Sequence, residues 1–293
     1  AGLGVSVVDK ARGVGGRMAT RRMTVGHCDH GVPAFRTDGE AFRAATKEWA
    51  DVGAAVLWHH GGITETVGRP GMTAIAKALA RSLPTVELNV PIDRIAVDGT
   101  RWLATAGDRQ FRATAVFLSP PVPQTLALLD AGAVALTAND RAVLHRIRYW
   151  PQFVVLARFA EGFALPEPGV VRFEDHAILD RIVDERRKGS CDVATATIRS
   201  TTEFAETHFD EPPTTVLATL LAAARSFVRS EPVETSLHRW RFALVRDGGP
   251  TPWLRLERMP PAYLIGDAFG NGTVEGAWHS GRAAAEDWLR SIE

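Results

Sequence analysis

Near its C-terminal end the chain reads Tyr263-Leu264-Ile265-Gly266-Asp267-Ala268-Phe269-Gly270-Asn271-Gly272-Thr273-Val274-Glu275-Gly276-Ala277, and this run constrains the fold more than any other. The apolar residues before Gly266 predict a short buried strand, and the segment from Val274 to Ile292 predicts the terminal helix. A strand that ends in Gly-Asp offers a carboxylate to sugar-type hydroxyls. The glycine loop lets the next helix begin close to a ligand, with its N–H groups and positive dipole end facing an electron-rich group. An ordinary strand–turn–helix has the same local appearance, so a second signal is needed.

That signal lies at the other end. Val5-Ser6-Val7-Val8 predicts a buried strand, followed by Asp9, Lys10, Arg12 and the glycine-rich turn Gly13-Val14-Gly15-Gly16-Arg17-Met18. In a dinucleotide-binding βαβ unit an acidic residue at the end of the second strand accepts hydrogen bonds from ribose hydroxyls, roughly 20 residues beyond a G-x-G-x-x-G turn. Asp9 suits that position, and the register puts the turn before residue 1. The expectation is therefore an N-terminally truncated sequence, with Ala1-Gly2-Leu3-Gly4 as the tail of a helix closed by glycine. Paired glycines let backbone approach a diphosphate, and Arg17 is placed to meet its charge. A plain strand closed by a tight turn is the competing reading.

Between these ends the period changes several times. Helical spacing covers 40–51, 72–81, 121–129, 137–146 and 214–228, while 86–88, 92–97, 101–105, 114–118 and 149–159 read as strands. This mixture predicts an α/β fold: a Rossmann-type nucleotide-binding domain with an interleaved β-rich α+β substrate domain. The expected division gives 1–33, 68–128 and 258–293 to the nucleotide domain, and 34–67 and 129–257 to the substrate domain.

Lys and Arg number 34 and so do Asp and Glu, a balance that argues against a nucleic-acid binder. The cluster Arg186-Arg187-Lys188 is read as a solvated loop, and His59-His60 as a surface loop. Two cysteines, Cys28 and Cys191, cannot frame a disulfide scaffold, so a reducing, cytoplasmic setting without membrane contact is expected. His27, Cys28 and His30 lack a fourth ligand at metal-site spacing, and no metal is expected. Hydrolase and kinase motifs are missing.

The run Val7-Val8-Asp9-Lys10-Ala11-Arg12-Gly13-Val14-Gly15-Gly16-Arg17-Met18-Ala19-Thr20-Arg21, with Asp29-His30-Gly31, Pro70-Gly71-Met72, His238-Arg239-Trp240-Arg241 and Gly266 through Trp278, resembles the renalase-like branch of the flavin amine-oxidase superfamily. The resemblance implies a glutathione-reductase-type FAD fold, non-covalent FAD, and hydride transfer from a small dihydronicotinamide-type donor, with O2 reduced to H2O2. It implies that Asp9, with Lys10 and Arg12 beside it, holds the adenosine side. Gly15, Gly16, Arg17 and Met18 would hold the diphosphate side, and the backbone at Ile92 the adenine edge. Gly266 and Asp267 would meet the ribityl or diphosphate portion, and Val274, Glu275, Gly276 and Ala277 the flavin end. The sequence departs from the family pattern at Asp9, usually glutamate, at Val32-Pro33-Ala34-Phe35 and at Asn271-Gly272-Thr273.

Hydride transfer to a flavin needs an oriented, dry pocket more than a general base. His238, Trp240 and Trp278 are accordingly the expected catalytic-pocket residues, with core packing as the competing reading for each. Two other functions stay open: a flavin amine oxidase or desaturase acting on another donor, and a truncated non-catalytic member that binds no flavin.

Overall fold

The computed structural model describes residues 3–160, 163, 165–257 and 259–293. Ala1 and Gly2 of the expected helix tail lie outside the described residues. By contact density the chain divides into two compact units, Ala1–Gly13 with Thr85–Tyr149 and Leu244–Glu293, and Val14–Pro84 with Trp150–Ala243. The division expected from sequence drew its lines elsewhere, at 33/34, 67/68, 128/129 and 257/258.

The first unit contains the two parallel pairings expected of a nucleotide-binding fold. Strand Val7–Val8 pairs in parallel with Val86–Glu87, and Val116–Leu118 pairs in parallel with Ala262–Leu264. The latter strand is buried throughout, as its uninterrupted apolar sequence requires. A separate antiparallel meander runs through Arg94–Asp98, Arg101–Ala106 and Arg109–Ala113. Helix Val122–Ala131 approaches it so closely that a Cβ at Gly132 would fall 1.9 Å from the Ile95 carbonyl oxygen. Ile95, Trp102, Leu126, Leu129, Leu144, Leu264 and Phe269 share one core. Trp102 is fully buried, and its indole N–H is satisfied by the carbonyls of Pro260 and Pro261 at 3.1 and 3.0 Å.

The second unit is built on a five-stranded sheet in the order Val170–Arg172, Leu179–Asp184, Thr195–Ser200, Arg148–Arg158, Glu234–Asp247. Period-2 alternation sends Phe153, Val155, Ala157, Ile182, Ala196 and Ile198 to one face. There they pack against Val216, Leu220 and Ala224 of helix Pro213–Val228, which starts with Pro at its first position. The opposite face carries Val154 and Leu156, which cluster with Cys28 of strand His27–Asp29.

Helix Glu40–Asp51 buries Phe42, Thr46 and Trp49 and precedes the hairpin Ala55–His60/Ile63–Gly68. The hairpin corrects the reading of His59-His60 as a surface loop. Neighbouring side chains do diverge, but across the two faces of a strand: His59 stays exposed, while His60 is buried. His60 meets Glu65 at 2.6 Å and lies against the Trp58 ring at 4.0 Å.

Candidate functional site

In the first unit the backbone does most of the shaping. Asp9 follows its strand directly, and one carboxylate oxygen accepts the Ala11 N–H at 2.8 Å. The turn is clamped by the segment that precedes Ile92: Val90 N–H donates to the Asp9 carbonyl at 3.0 Å, and Asn89 N–H donates to the Ala11 carbonyl at 2.9 Å. Asp9 and the Asn89–Ile92 segment, assigned to one end of the ligand by sequence, are thus neighbours. Lys10 and Arg12 are exposed, and Lys10 reaches the Gln124 side chain at 3.4 Å.

At the other end of the unit Gly266 adopts φ 121°, a conformation that strongly favours glycine. Its N–H donates to the Ser280 hydroxyl at 3.0 Å, which ties the end of the strand to helix Val274–Ile292. That helix starts under a Thr273 cap whose hydroxyl accepts the Gly276 N–H at 2.9 Å. Gly276 packs directly on Gly270, and a Cβ there would fall 1.4 Å from the Gly270 carbonyl oxygen. The glycines therefore bring the 3-10 turn Asp267–Phe269 against the first turn of the helix, a close backbone cradle with Asp267, Val274, Glu275 and Ala277 around it. Trp278, one turn into the helix, carries the Arg282 guanidinium over its ring at 5.3 Å.

In the second unit Gly15 and Gly16 both have positive φ and lead into the short 3-10 turn Gly16–Met18. Val32 N–H donates to the Arg17 carbonyl at 2.7 Å, and the Arg17 guanidinium reaches the Ala243 carbonyl at 3.4 Å. A Cβ at Gly31 would fall 1.9 Å from the Arg17 carbonyl oxygen, so the glycine after His30 is required by this packing.

The same unit brings His238 and Trp240 together. Their rings are 4.3 Å apart, and both meet His30, which sequence reasoning had quoted in a motif but not selected as a site residue. The His30 ring lies 4.6 Å from His238 and stacks on Trp240 at 5.5 Å and 14°. Trp240 donates its indole N–H to the His30 carbonyl at 2.8 Å. Burial, followed by the His238, Arg21 and Arg199 charges, pulls the His30 pKa down to about 3. Burial and the same two arginines bring His238 to about 4. Both imidazoles are therefore neutral at pH 7, and the three rings form an uncharged aromatic wall. Trp278 belongs to the first unit.

Behind the wall sits a wholly buried charge cluster. Lys188 bridges Asp29 at 2.7 Å and Glu185 at 2.6 Å, with every side chain at zero exposure. Asp29 also accepts the Thr20 hydroxyl at 2.5 Å and the Met72 N–H at 2.9 Å, and Ser190 donates to Glu185 at 2.7 Å. Burial works against the Lys188 charge, but Glu185 and Asp29 more than offset it and its pKa rises, so the ammonium persists. The reading of Arg186-Arg187-Lys188 as a solvated loop is therefore wrong for Lys188. Two carboxylates draw it inside, Glu185 three residues away at 2.6 Å and Asp29 far away in sequence at 2.7 Å, and only the second is hidden from the local charge pattern. Among the described residues no group of three or more His, Cys, Asp or Glu is arranged to hold a metal. No helix among them is long and apolar enough to cross a membrane.

The residues present fit a dinucleotide of the FAD type. The Asp9 turn clamped by Asn89 and Val90 has the form expected of a ribose-binding acid, and the Gly266–Gly276 cradle at a helix start has the form expected of a backbone site for an electron-rich group.

Comparison with known proteins agrees. The sequence pattern of flavin-containing amine oxidoreductases matches residues 38–289. Among solved structures the fold is similar to a protein named as a protoporphyrinogen oxidase from Exiguobacterium sp. 255-15, at 15% identity and TM-score 0.57, covering 78% of this chain and 52% of that one. It is also similar to cyclohexylamine oxidase from Brevibacterium oxydans IH-35A, at 16% identity and TM-score 0.51, covering 76% and 53%. A third similar structure is wild-type putrescine oxidase bound to putrescine, at 18% identity and TM-score 0.55, covering 77% and 54%. The chain spans about half the length of each of these proteins. At these identities the likeness concerns the fold, a mixed α/β architecture with a sheet-rich second part. The match over residues 38–289 establishes that the chain belongs to the flavin-containing amine oxidoreductases, a family of oxidoreductases whose cofactor is FAD.

Proposed function

We propose that this chain carries out FAD-dependent oxidation of a small reduced donor of the dihydronicotinamide type, in the manner of renalase-like enzymes. When bound, FAD supplies the redox chemistry, accepting a hydride from the donor and passing the two electrons to O2 to give H2O2. The chain's part is to bind, orient and keep water out. Asp9, with Lys10, Arg12 and the backbone up to Ile92, serves the adenosine side, and Gly15, Gly16, Arg17 and Met18 serve the diphosphate. Gly266 and Asp267 serve the ribityl chain, and Val274 to Ala277 the flavin ring. His238 and Trp240, with His30 packed beside them, serve as the aromatic residues that meet the donor ring, and Trp278 is a further pocket residue. A reducing, cytoplasmic setting belongs to the same proposal and is supported by two free, buried cysteines.

The observation that carries the choice of donor is the neutral His30–His238–Trp240 wall. Its three rings carry no carboxylate, and the larger charges acting on them, Arg21 and Arg199, are positive, with Asp29 acting more weakly on His30 alone. An uncharged ring that gives up a hydride suits such a wall. The amine alternative draws support from the cyclohexylamine and putrescine oxidases among the similar folds. The test is anaerobic bleaching of the bound flavin, with dihydronicotinamide isomers in one series and primary amines in the other. Bleaching by the first alone is expected. Bleaching by amines alone would replace this reading with the amine oxidase. A folded protein that takes up no flavin would leave the non-catalytic reading standing.

A further inference from the structure

Three arginines form a ladder across the sheet of the second unit. Arg172 is the cross-strand partner of Arg181, and Arg181 is the cross-strand partner of Arg199. Residues directly opposite each other in an antiparallel pair project from the same face, so three like charges stand side by side, an arrangement that is destabilising by itself. Exposure falls along the ladder: Arg172 is exposed, Arg181 half-buried and Arg199 buried.

Their partners do not balance them. Arg172 meets Glu65 at 3.0 Å, but Glu65 is shared with His60 at 2.6 Å. Among the described residues neither Arg181 nor Arg199 makes an ion pair, and the Nε atoms of both are buried without a hydrogen-bond partner. Asp180, Glu65, Asp29 and Glu185 act on them only at longer range. Arg199 is 5% exposed and donates from Nη2 to the carbonyls of Asp29 and Gly31, the residues that flank His30. Its strand neighbour Val154 belongs to the small cluster against which Trp240 packs. The buried end of the ladder therefore adjoins the aromatic wall.

A buried guanidinium costs several kcal/mol unless it is paired, and an arginine fork is the side chain best matched to carboxylate and phosphate oxygens. Burial and the neighbouring Arg181 already pull Arg199 down to about 10, a measure of how poorly this cation is compensated by the protein itself. We propose that Arg181, with Arg172 at its open side and Arg199 as the positioning residue beneath it, is an oxyanion-binding subsite, and that the donor carries a carboxylate or phosphate next to the ring it presents to His30, His238 and Trp240. The link to the donor rests on the flavin oxidase reading; the anion subsite itself does not.

The test separates the two. Inorganic phosphate and acetate are each titrated into the full chain at constant ionic strength, with binding followed by calorimetry. Arg181→Gln, Arg181→Lys and the exposed control Arg229→Gln are compared with the parent. Arg181 has no protein ion pair to lose, so its replacement leaves folding intact. Removing a charge-assisted contact of roughly 1.5–3 kcal/mol weakens binding at least about tenfold in Arg181→Gln. Arg181→Lys recovers part of the loss, and Arg229→Gln matches the parent. Tighter binding of phosphate than of acetate identifies a phosphorylated donor, and the reverse order a carboxylate. If the parent binds neither anion, or if Arg181→Gln binds both as the parent does, the subsite does not exist. None of these readouts depends on flavin or turnover, so failure of the donor chemistry would show only in the bleaching experiment.

Discussion

The two units solve the problem of placing polar groups near a ligand in opposite ways. In the first, the Gly266–Gly276 cradle and the Asp9 turn are made by backbone. Glycine supplies the conformations and the close contact, and a Thr273 cap fixes the helix start. In the second, Asp29, Glu185, Lys188, Arg199, His30 and His238 are side chains drawn from distant segments and held by each other. The first kind of site tolerates no added atom. The second tolerates no lost charge.

The comparison can be broken at four points, taken from the largest effect to the smallest. Gly276→Ala drives a methyl group into the Gly270 carbonyl, and unfolding in urea should show a loss of more than about 4–5 kcal/mol, or no folded protein at all. Lys188→Met leaves the buried carboxylates of Asp29 and Glu185 uncompensated, costing about 3–5 kcal/mol at pH 8. Burial already raises the Glu185 pKa, so that variant should recover part of its loss at pH 5, where protonation removes a charge. Equal losses at both pH values would contradict this account of the charge cluster.

The third point concerns the imidazoles. His30 and His238 have folded pKa values of about 3 and about 4, below the ordinary histidine value, so the unfolded chain binds more protons in acid. Their contribution to stability is complete above pH 6.5 and is lost as pH falls from there toward 4. His30→Gln should flatten the pH 6.5 to 4.5 stability slope by about 2–3 kcal/mol relative to the parent, as read from urea midpoints across that range. Identical slopes would show that His30 is not held neutral by its surroundings. The smallest effect belongs to the helix cap: Thr273→Ala removes the acceptor for Gly276 N–H and should cost about 1 kcal/mol.

This contrast also explains which parts were legible in the sequence. The strand at 262–264, the glycine loop and the terminal helix were read from adjacent residues, because the backbone signals that build them are local. The helices at 40–51 and 213–228 followed from their apolar period. Lys188 was misread because one of the two carboxylates that hold it, Asp29, lies on another segment, and the burial of the other, Glu185, depends on the sheet around it. His30 was passed over for a similar reason: its partners His238 and Trp240 meet it only through the sheet. The Arg172–Arg181–Arg199 ladder needs the strand register, which alternation alone does not supply. His60 was misplaced because the turn at Gly61-Gly62 was not read as closing a hairpin onto Ile63–Gly68, although paired glycines between extended segments carry that meaning.

The most direct test of the central claim is a visible absorption spectrum of the purified 293-residue chain before and after incubation with FAD. The account predicts an oxidised-flavin spectrum that stays with the protein through gel filtration and bleaches with a dihydronicotinamide donor under anaerobic conditions. A folded chain that retains no flavin after incubation would contradict it.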